Sequence, residues 1–190
     1  MALMTRLLTC ALVALLLATP AQAALTTKLI ISVVATETAT ADLATPSAVV
    51  AQKFEYTWAS GTGANQANLI WSDTRTLAAS ATEDLDLAGV LTNQFGGTLT
   101  FARVKAIIIR ARAANTNNVL VGGAAATQFV NWVSDATDKV VVRPGGLLTL
   151  IAPDVTGYAV GAGASDFLRI GNSAAGTSVD YDIVIIGASA

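Results

Sequence analysis

The feature that most constrains this chain is the spacing of its turn signals. Gly61-Thr62-Gly63, Gly96-Gly97, Asn115-Thr116-Asn117-Asn118, Gly122-Gly123, Pro144-Gly145-Gly146, Gly161-Ala162-Gly163 and Gly171-Asn172-Ser173 punctuate the sequence closely. Glycine and asparagine reach the positive φ that tight turns need, and proline presets the first turn position. The segments between these signals are too short for ordinary helices. They are rich in β-branched or alternating apolar residues, the signature of strands.

Eleven segments read this way: Lys28–Val34, Ala51–Trp58, Leu69–Leu77, Thr82–Leu87, Val104–Ala111, Val119–Val121, Lys139–Val142, Leu147–Ile151, Tyr158–Val160, Phe167–Ile170 and Val179–Ile186. Val104–Ala111 (VKAIIIRA) is the most strongly apolar and reads as a buried central strand. A helical period shows only briefly, at Ala88–Phe95 and Ala126–Ser134. Residues 36–50 are rich in Ala and Thr and read as an irregular arm, where Pro46 argues against a central strand. The expected fold is all-β: an antiparallel β-sandwich, jelly-roll-like, with an immunoglobulin-like sandwich as the alternative.

The first 23 residues are a separate object. Arg6 supplies a positive start, Leu7–Ala18 an apolar run, and Ala21-Gln22-Ala23 a small-residue cleavage site before Ala24. This is the pattern of a secretory signal peptide, expected to be helical. The alternative is an uncleaved membrane anchor, for which the apolar run is short against the roughly 20 residues a span needs. Residues 24–190 then form one sandwich domain. Removing the leader takes away Cys10, the only cysteine, so disulfides say nothing of compartment.

Composition excludes several chemistries. The chain has no His, so no Ser-His-Asp or Cys-His catalysis and no imidazole metal ligand. A formal net charge of −2 gives no electrostatic footprint for nucleic acid. Charged residues make up only 13% of the chain, against about 25% in a typical soluble domain. Ala, Thr, Ser, Asn and Gly must therefore supply much of the exterior. Such a surface exposes apolar patches unless identical neighbours cover it, which points to a homo-oligomer, a trimer or a larger array.

Candidate sites follow from residue type. Glu83, Asp84 and Asp86 could serve paired-carboxylate hydrolysis, but Asp84 and Asp86 alternate with Leu85 and Leu87 as on a strand with one wet face. Asp135, Asp138 and Asp154 offer oxygen ligands for calcium, yet a turn-forming role explains each, and no metal or cofactor is expected. Gly61-Thr62-Gly63 lacks the Gly-Lys-Ser/Thr of a phosphate loop and reads as a strand connection. Arg103, Lys105, Arg110 and Arg112 place four cations near one strand. They fit an acidic partner surface, or the Glu83–Asp86 strand across a sheet. Trp58 and Trp71, with Tyr56, read as interface or core anchors, or as sugar-stacking platforms of a secreted carbohydrate-binding module.

Five segments carry a resemblance. They are Gly61–Leu91, Phe95–Ala111, Asn115–Ala125, Val140–Val160 and Gly176–Ser189, within a resemblance that runs from about Leu25 to the C-terminus. In these blocks the chain resembles small structural proteins of tailed-bacteriophage virions. The resemblance implies a non-enzymatic β-sandwich virion protein that decorates or cements a capsid, with a tail or fibre position as the alternative. Its expected partners are itself and a major capsid or other virion protein, without nucleic acid. The expected location is the virion, or the periplasm or exterior if the leader acts as a signal.

Overall fold

The computed structural model describes residues 24–123 and 127–190. All elements in these residues are strands: β1 (Thr27–Thr38), β2 (Ser47–Trp58), β3 (Leu69–Leu77), β4 (Thr82–Asp86), β5 (Arg103–Ala111), β6 (Val119–Gly122), β7 (Lys139–Val142), β8 (Leu147–Ile151), β9 (Tyr158–Ala159), β10 (Phe167–Asn172) and β11 (Val179–Ala188). The expected signal-like helix lies outside the described residues. The two short helical readings are corrected. Residues 87–90 form a turn, and Thr92 bridges Thr98. Residues 127–134 form turns and a bridge, with Gln128 opposite Phe167. A few apolar residues at helical spacing do not outweigh the cost of nucleating a helix when sheet edges accept the same backbone.

The strands form three antiparallel sheets. One is ordered β3-β11-β5-β8, with β9 pairing the start of β5 beyond β8. A second is ordered β4-β10-β6-β7, and the third is the ribbon β1-β2. The larger two share one core. Val104, Ile107 and Ile109 of β5 and Tyr181, Ile183 and Ile185 of β11 pack with Leu168 and Ile170 of β10 and Val119 and Val121 of β6. Phe101 and Phe129, from the connections, complete that core. Each fully buried Ile, Leu or Phe contributes about 1.5–3 kcal/mol relative to exposure.

The continuous apolar runs Ala106–Ile109 and Ile183–Ile186 have a specific cause. Strands buried on one face alternate, whereas strands covered on both faces do not. Here Ile107, Ile109, Ile183 and Ile185 face the opposing sheet. Ala106 and Ile186 face outward and are buried in a second cluster with Trp58 and Ala67, against which Leu25, Leu29, Tyr56, Ile108 and Val184 pack. The base of the β1-β2 ribbon thus covers the outer face of the five-stranded sheet.

A bulge interrupts the β5–β11 ladder between Ile186 and Gly187: Val104 opposes Gly187 and Ala106 opposes Ile186, leaving Lys105 unpaired. Gly187 is required there, because a Cβ would approach the Arg103 carbonyl oxygen to 2.4 Å. The bulge re-aims its strand, as such insertions do. Val104 enters the core, and Lys105 is buried with its ammonium donating to the carbonyl oxygen of Asp154.

Candidate interaction surface

The β1-β2 ribbon has twelve residues in each strand and pairs from Thr27–Trp58 at its base to Thr38–Ser47 near its tip. The tip is closed by bonds from the Ala39 amide to the Pro46 carbonyl (3.0 Å) and from the Ala41 amide to the Ala44 carbonyl (3.1 Å). Residues 36–50 are therefore not irregular throughout. Both strands run on into them, and only residues 39–46 lie outside the ladder. Pro46 sits just before β2, where its missing N–H costs no ladder bond.

Register assigns the two faces of the ribbon. Leu29, Ile31, Val33 and Ala35 share one face with Trp58, Tyr56, Phe54, Gln52 and Val50. At the base this face is covered: Trp58 is fully buried and stacks on Tyr56, with ring centroids 6.2 Å apart. From the Ile31–Phe54 pair outward it departs from the sandwich, with Phe54 52% and Val33 53% exposed. Its only charged residue is Glu37, close to the tip. The opposite face carries Lys28, Lys53 and Glu55 at the base and Val34, Ala51 and Val49 further out. Glu55 accepts from Lys28 and from Lys53, the latter at 2.7 Å. Hydrogen bonds first from Lys28 and then from Lys53 hold its carboxyl at about 2, well below the usual carboxylate range.

A groove of about 410 Å³ opens beside the base of the ribbon. Its lining includes Ala24, Leu25, Ile70 and Trp71 together with Asn93, Gln94 and Phe95, and no lining side chain is charged. Phe95 stands 89% exposed at the rim. The Asn93 carboxamide oxygen accepts from the amides of Phe95 and Gly97, both at 2.9 Å, which holds the rim loop in shape.

The four cations proposed from sequence do not form one stripe. Arg110 is exposed on the outer face of the five-stranded sheet, opposite Asp182 in register, and Arg112 pairs with that carboxylate at 2.5 Å. Arg103 donates to the carbonyls of Thr62 and Val155, each at 3.3 Å, and so braces two loops. Lys105 is fully buried and offers no surface contact; burial lowers its pKa from the ordinary lysine value. Trp58 and Trp71 are likewise buried, in the second and first core clusters respectively. They are anchors within the chain and supply no coplanar sugar platform.

None of the four cations neutralises the acidic strand β4. Arg75 and Arg169 do so instead. Arg169 holds Asp84 through two bonds of 2.7 Å, the planar fork-on-carboxylate geometry. Arg75 donates to Glu83 and, at 3.1 Å, to Asp73, while the buried Tyr181 hydroxyl donates to the other oxygen of Glu83. Burial first, then Glu83, pushes the Tyr181 phenol up. This network links β3 and β11 of one sheet to β4 of the other. Asp86 accepts from the Ala88 amide at 2.9 Å. These carboxylates are each engaged in a structural contact.

The loop aspartates shape their own turns. Asp135 accepts from the Thr137 amide and hydroxyl, and these bonds lower its pKa. Asp154 accepts from the amides of Gly157 and Thr156, which lower its pKa in that order. Among the described residues no three acidic or cysteine side chains gather as metal ligands. Gly61 and Gly63 wrap the Gln66 side chain, whose oxygen accepts from the Gly63 amide at 2.9 Å.

No family model, curated protein or solved structure matches this chain.

Sequence reasoning missed the projecting ribbon and the groove. A signal for the ribbon is present: β-branched residues continue past Val34 and resume before Ala51, on either side of Pro46. The groove joins residues 68–72 with residues 92–99, and no local pattern announces that approach.

Proposed function

We propose that this chain is a non-enzymatic structural protein of the virion type, a capsid decoration or cement protein that self-associates and binds a protein lattice. The observation that carries this reading is the ribbon. A two-stranded hairpin is marginal by itself in water. This one stands clear of its sandwich with Val33, Val34, Val49, Val50 and Phe54 exposed. An exposed apolar stretch of this extent is the mark of an interaction surface.

Two further observations support it. The strand orders β3-β11-β5-β8 and β4-β10-β6-β7 are read as a jelly roll, the eight-stranded double Greek key shared by many capsid and lectin domains. The lectin branch is disfavoured by the burial of Trp58 and Trp71. The carboxylates that a hydrolase would use are tied to Arg75, Arg169, Tyr181 or a turn amide. The assembly is a closed homo-oligomer, a trimer in the simplest case, with Arg110 and Arg112 as polar contacts at its edge. Its place is the virion, or the periplasm or exterior if residues 1–23 direct export.

Light scattering of the purified chain, followed by co-sedimentation with capsids, tests this reading. A discrete multiple of the chain mass that pellets with capsids is expected. A clean monomer at high concentration with no capsid affinity would sink it.

A further inference from the structure

This inference rests on the self-association just proposed and adds one contact to it. We propose that β3 of one copy pairs antiparallel with β3 of a second copy about a two-fold axis at Thr74, so that their five-stranded sheets become one.

β3 is an edge strand. Among the described residues only β11 pairs with it, along all nine of its residues. Hydrogen bonds show which of its backbone groups face outward. The Asp180 carbonyl accepts from the Arg112 amide, so the even-numbered residues of β11 turn their backbone groups toward β5. The odd-numbered ones bond β3, where register sets them opposite Asp73, Arg75 and Leu77. The backbone groups of Ser72, Thr74 and Thr76 therefore point to the open edge. Two further contacts agree. Thr74 and Thr76 donate through their hydroxyls to Asp182 and Asp180, at 2.8 and 2.6 Å, as the closer side chains of non-hydrogen-bonded pairs do. The Thr74 amide donates to the neighbouring Asp73 carboxylate at 2.9 Å instead of to a strand. Ser72, Asp73, Thr74 and Thr76 are exposed.

Charge singles out a second copy and its register. Asp73 and Arg75 flank Thr74, with side chains 40% and 38% exposed. An antiparallel two-fold at Thr74 sets each Asp73 opposite Arg75 of the other copy, in the non-hydrogen-bonded pairs where side chains come closest. Centred on Asp73 or Arg75, the axis would set like charges opposite. Centred on Ser72 or Thr76, it would set both charges opposite apolar residues. The Thr74 register alone satisfies both.

Both groups have bonding capacity left. Arg75 donates from Nε and Nη2 to Glu83 and from Nη1 to Asp73, the last at 3.1 Å, so each terminal nitrogen keeps one free N–H. Each Asp73 oxygen accepts once and keeps a lone pair. On pairing, the Thr74 amide passes to the Thr74 carbonyl of the other copy, and Asp73 turns to Arg75 of that copy. On the outer face Ser72 meets Thr76 and Thr74 meets its own copy, hydroxyl pairs that suit facing strands. β4 lies beside this edge, and its Glu83 and Asp84 carry their own cations, Arg75 and Arg169. Main-chain bonds supply the affinity of edge pairing, and side chains supply its specificity. A two-fold contact doubles whatever closed ring the other surfaces build.

A thiol at the axis tests this. Each variant is made in a Cys10→Ser background, so that the introduced thiol is the only one. Thermal unfolding first confirms that each stays folded. Opposed residues of a hydrogen-bonded pair have Cα atoms about 5.5 Å apart, within disulfide reach. Thr74→Cys should therefore cross-link to its own copy under mild oxidation, read as a covalent dimer on a non-reducing gel. Thr76→Cys, on the same face of the same strand, would lie about 14 Å from its copy and should not cross-link alone. Mixed with Ser72→Cys it should. In sedimentation velocity Asp73→Arg should weaken the two-fold contact about tenfold, since like charges then face each other. Unchanged or stronger association in Asp73→Arg would mean that Asp73 only guards the edge against pairing, and would overturn the proposal. So would a missing Thr74→Cys cross-link, or an equal one at Thr76→Cys. With an oligomeric native chain, any of these results would leave self-association standing. A monomeric native chain would overturn both.

Discussion

The sandwich and the ribbon are built from the same residues and treat them oppositely. Phe101 is 1% exposed in the shared core, and Phe54 is 52% exposed on the ribbon. Ile109 and Ile183 are buried between two sheets, while Ile30 and Val34 stand in solvent. Strand propensity is similar in both places, since Val, Ile and Phe suit any pleated surface. What differs is the number of layers. Each sheet of the sandwich has a second sheet against it, and the ribbon has one layer at its base and none beyond. The two sheets of the sandwich thus cover each other, and beyond its base the ribbon is covered by none of the other described residues.

That contrast can be broken most sharply with one substitution on each side. Phe101→Ala should cost about 3–5 kcal/mol, the usual loss for emptying a buried aromatic site, read as a lower denaturant midpoint. Phe54→Ala should change the dilute chain by no more than about 0.5 kcal/mol, as for exposed positions generally. A large loss from Phe54→Ala at low concentration would mean that the ribbon is already packed within its own chain.

The strut between the sheets predicts a middle-sized effect. Tyr181→Phe removes the hydroxyl that Glu83 accepts from and leaves Arg75 in place. A hydrogen bond to a charged group contributes about 1.5–3 kcal/mol, and the surviving Arg75 contact puts this variant toward the lower figure. Urea denaturation checks it, and the loss should be the same at every protein concentration because the strut lies inside the sandwich.

The smallest effect concerns the charged face of the ribbon. Glu55 should titrate near 2 by carbon-detected NMR, against an ordinary 4.5, because Lys28 and Lys53 favour its ionised form. A depressed carboxylate pKa contributes stability that is fully present above the ordinary value and is lost as pH falls through the folded one. The ribbon should therefore loosen between about pH 4.5 and 2, more so in Lys28→Met, and high salt should raise the Glu55 value. A Glu55 that titrates at its ordinary value would remove this ion cluster from the account of the ribbon.

The sequence was informative where one layer decides the outcome. Turn signals and β-branched runs located every strand, several to the residue, as at Leu69–Leu77, Lys139–Val142 and Leu147–Ile151. It was less informative where two distant segments meet. The bulge opposite Gly187 turned Lys105 from an apparent surface cation into a buried one, and strict alternation has no means of showing a one-residue slip. Trp58 and Trp71 were legible as anchors, but what they anchor depends on the ribbon base and on β3 joining the shared core. Arg110 and Arg112 were placed correctly on one face, whereas the partners of β4, Arg75 and Arg169, lie 8 and 85 residues from the acids they hold. Low charge pointed to an exterior with exposed apolar residues, and among the described residues the ribbon carries Val33, Val34, Val49, Val50 and Phe54 exposed.

Amide hydrogen exchange at two protein concentrations tests the central claim most directly. In the dilute chain the outer half of β1 and β2 should exchange far faster than β5 and β11. At assembling concentrations that half should gain protection, while β5 and β11 stay as they were. Exchange in the ribbon that is fast at both concentrations, or slow at both, would contradict the claim that assembly completes it.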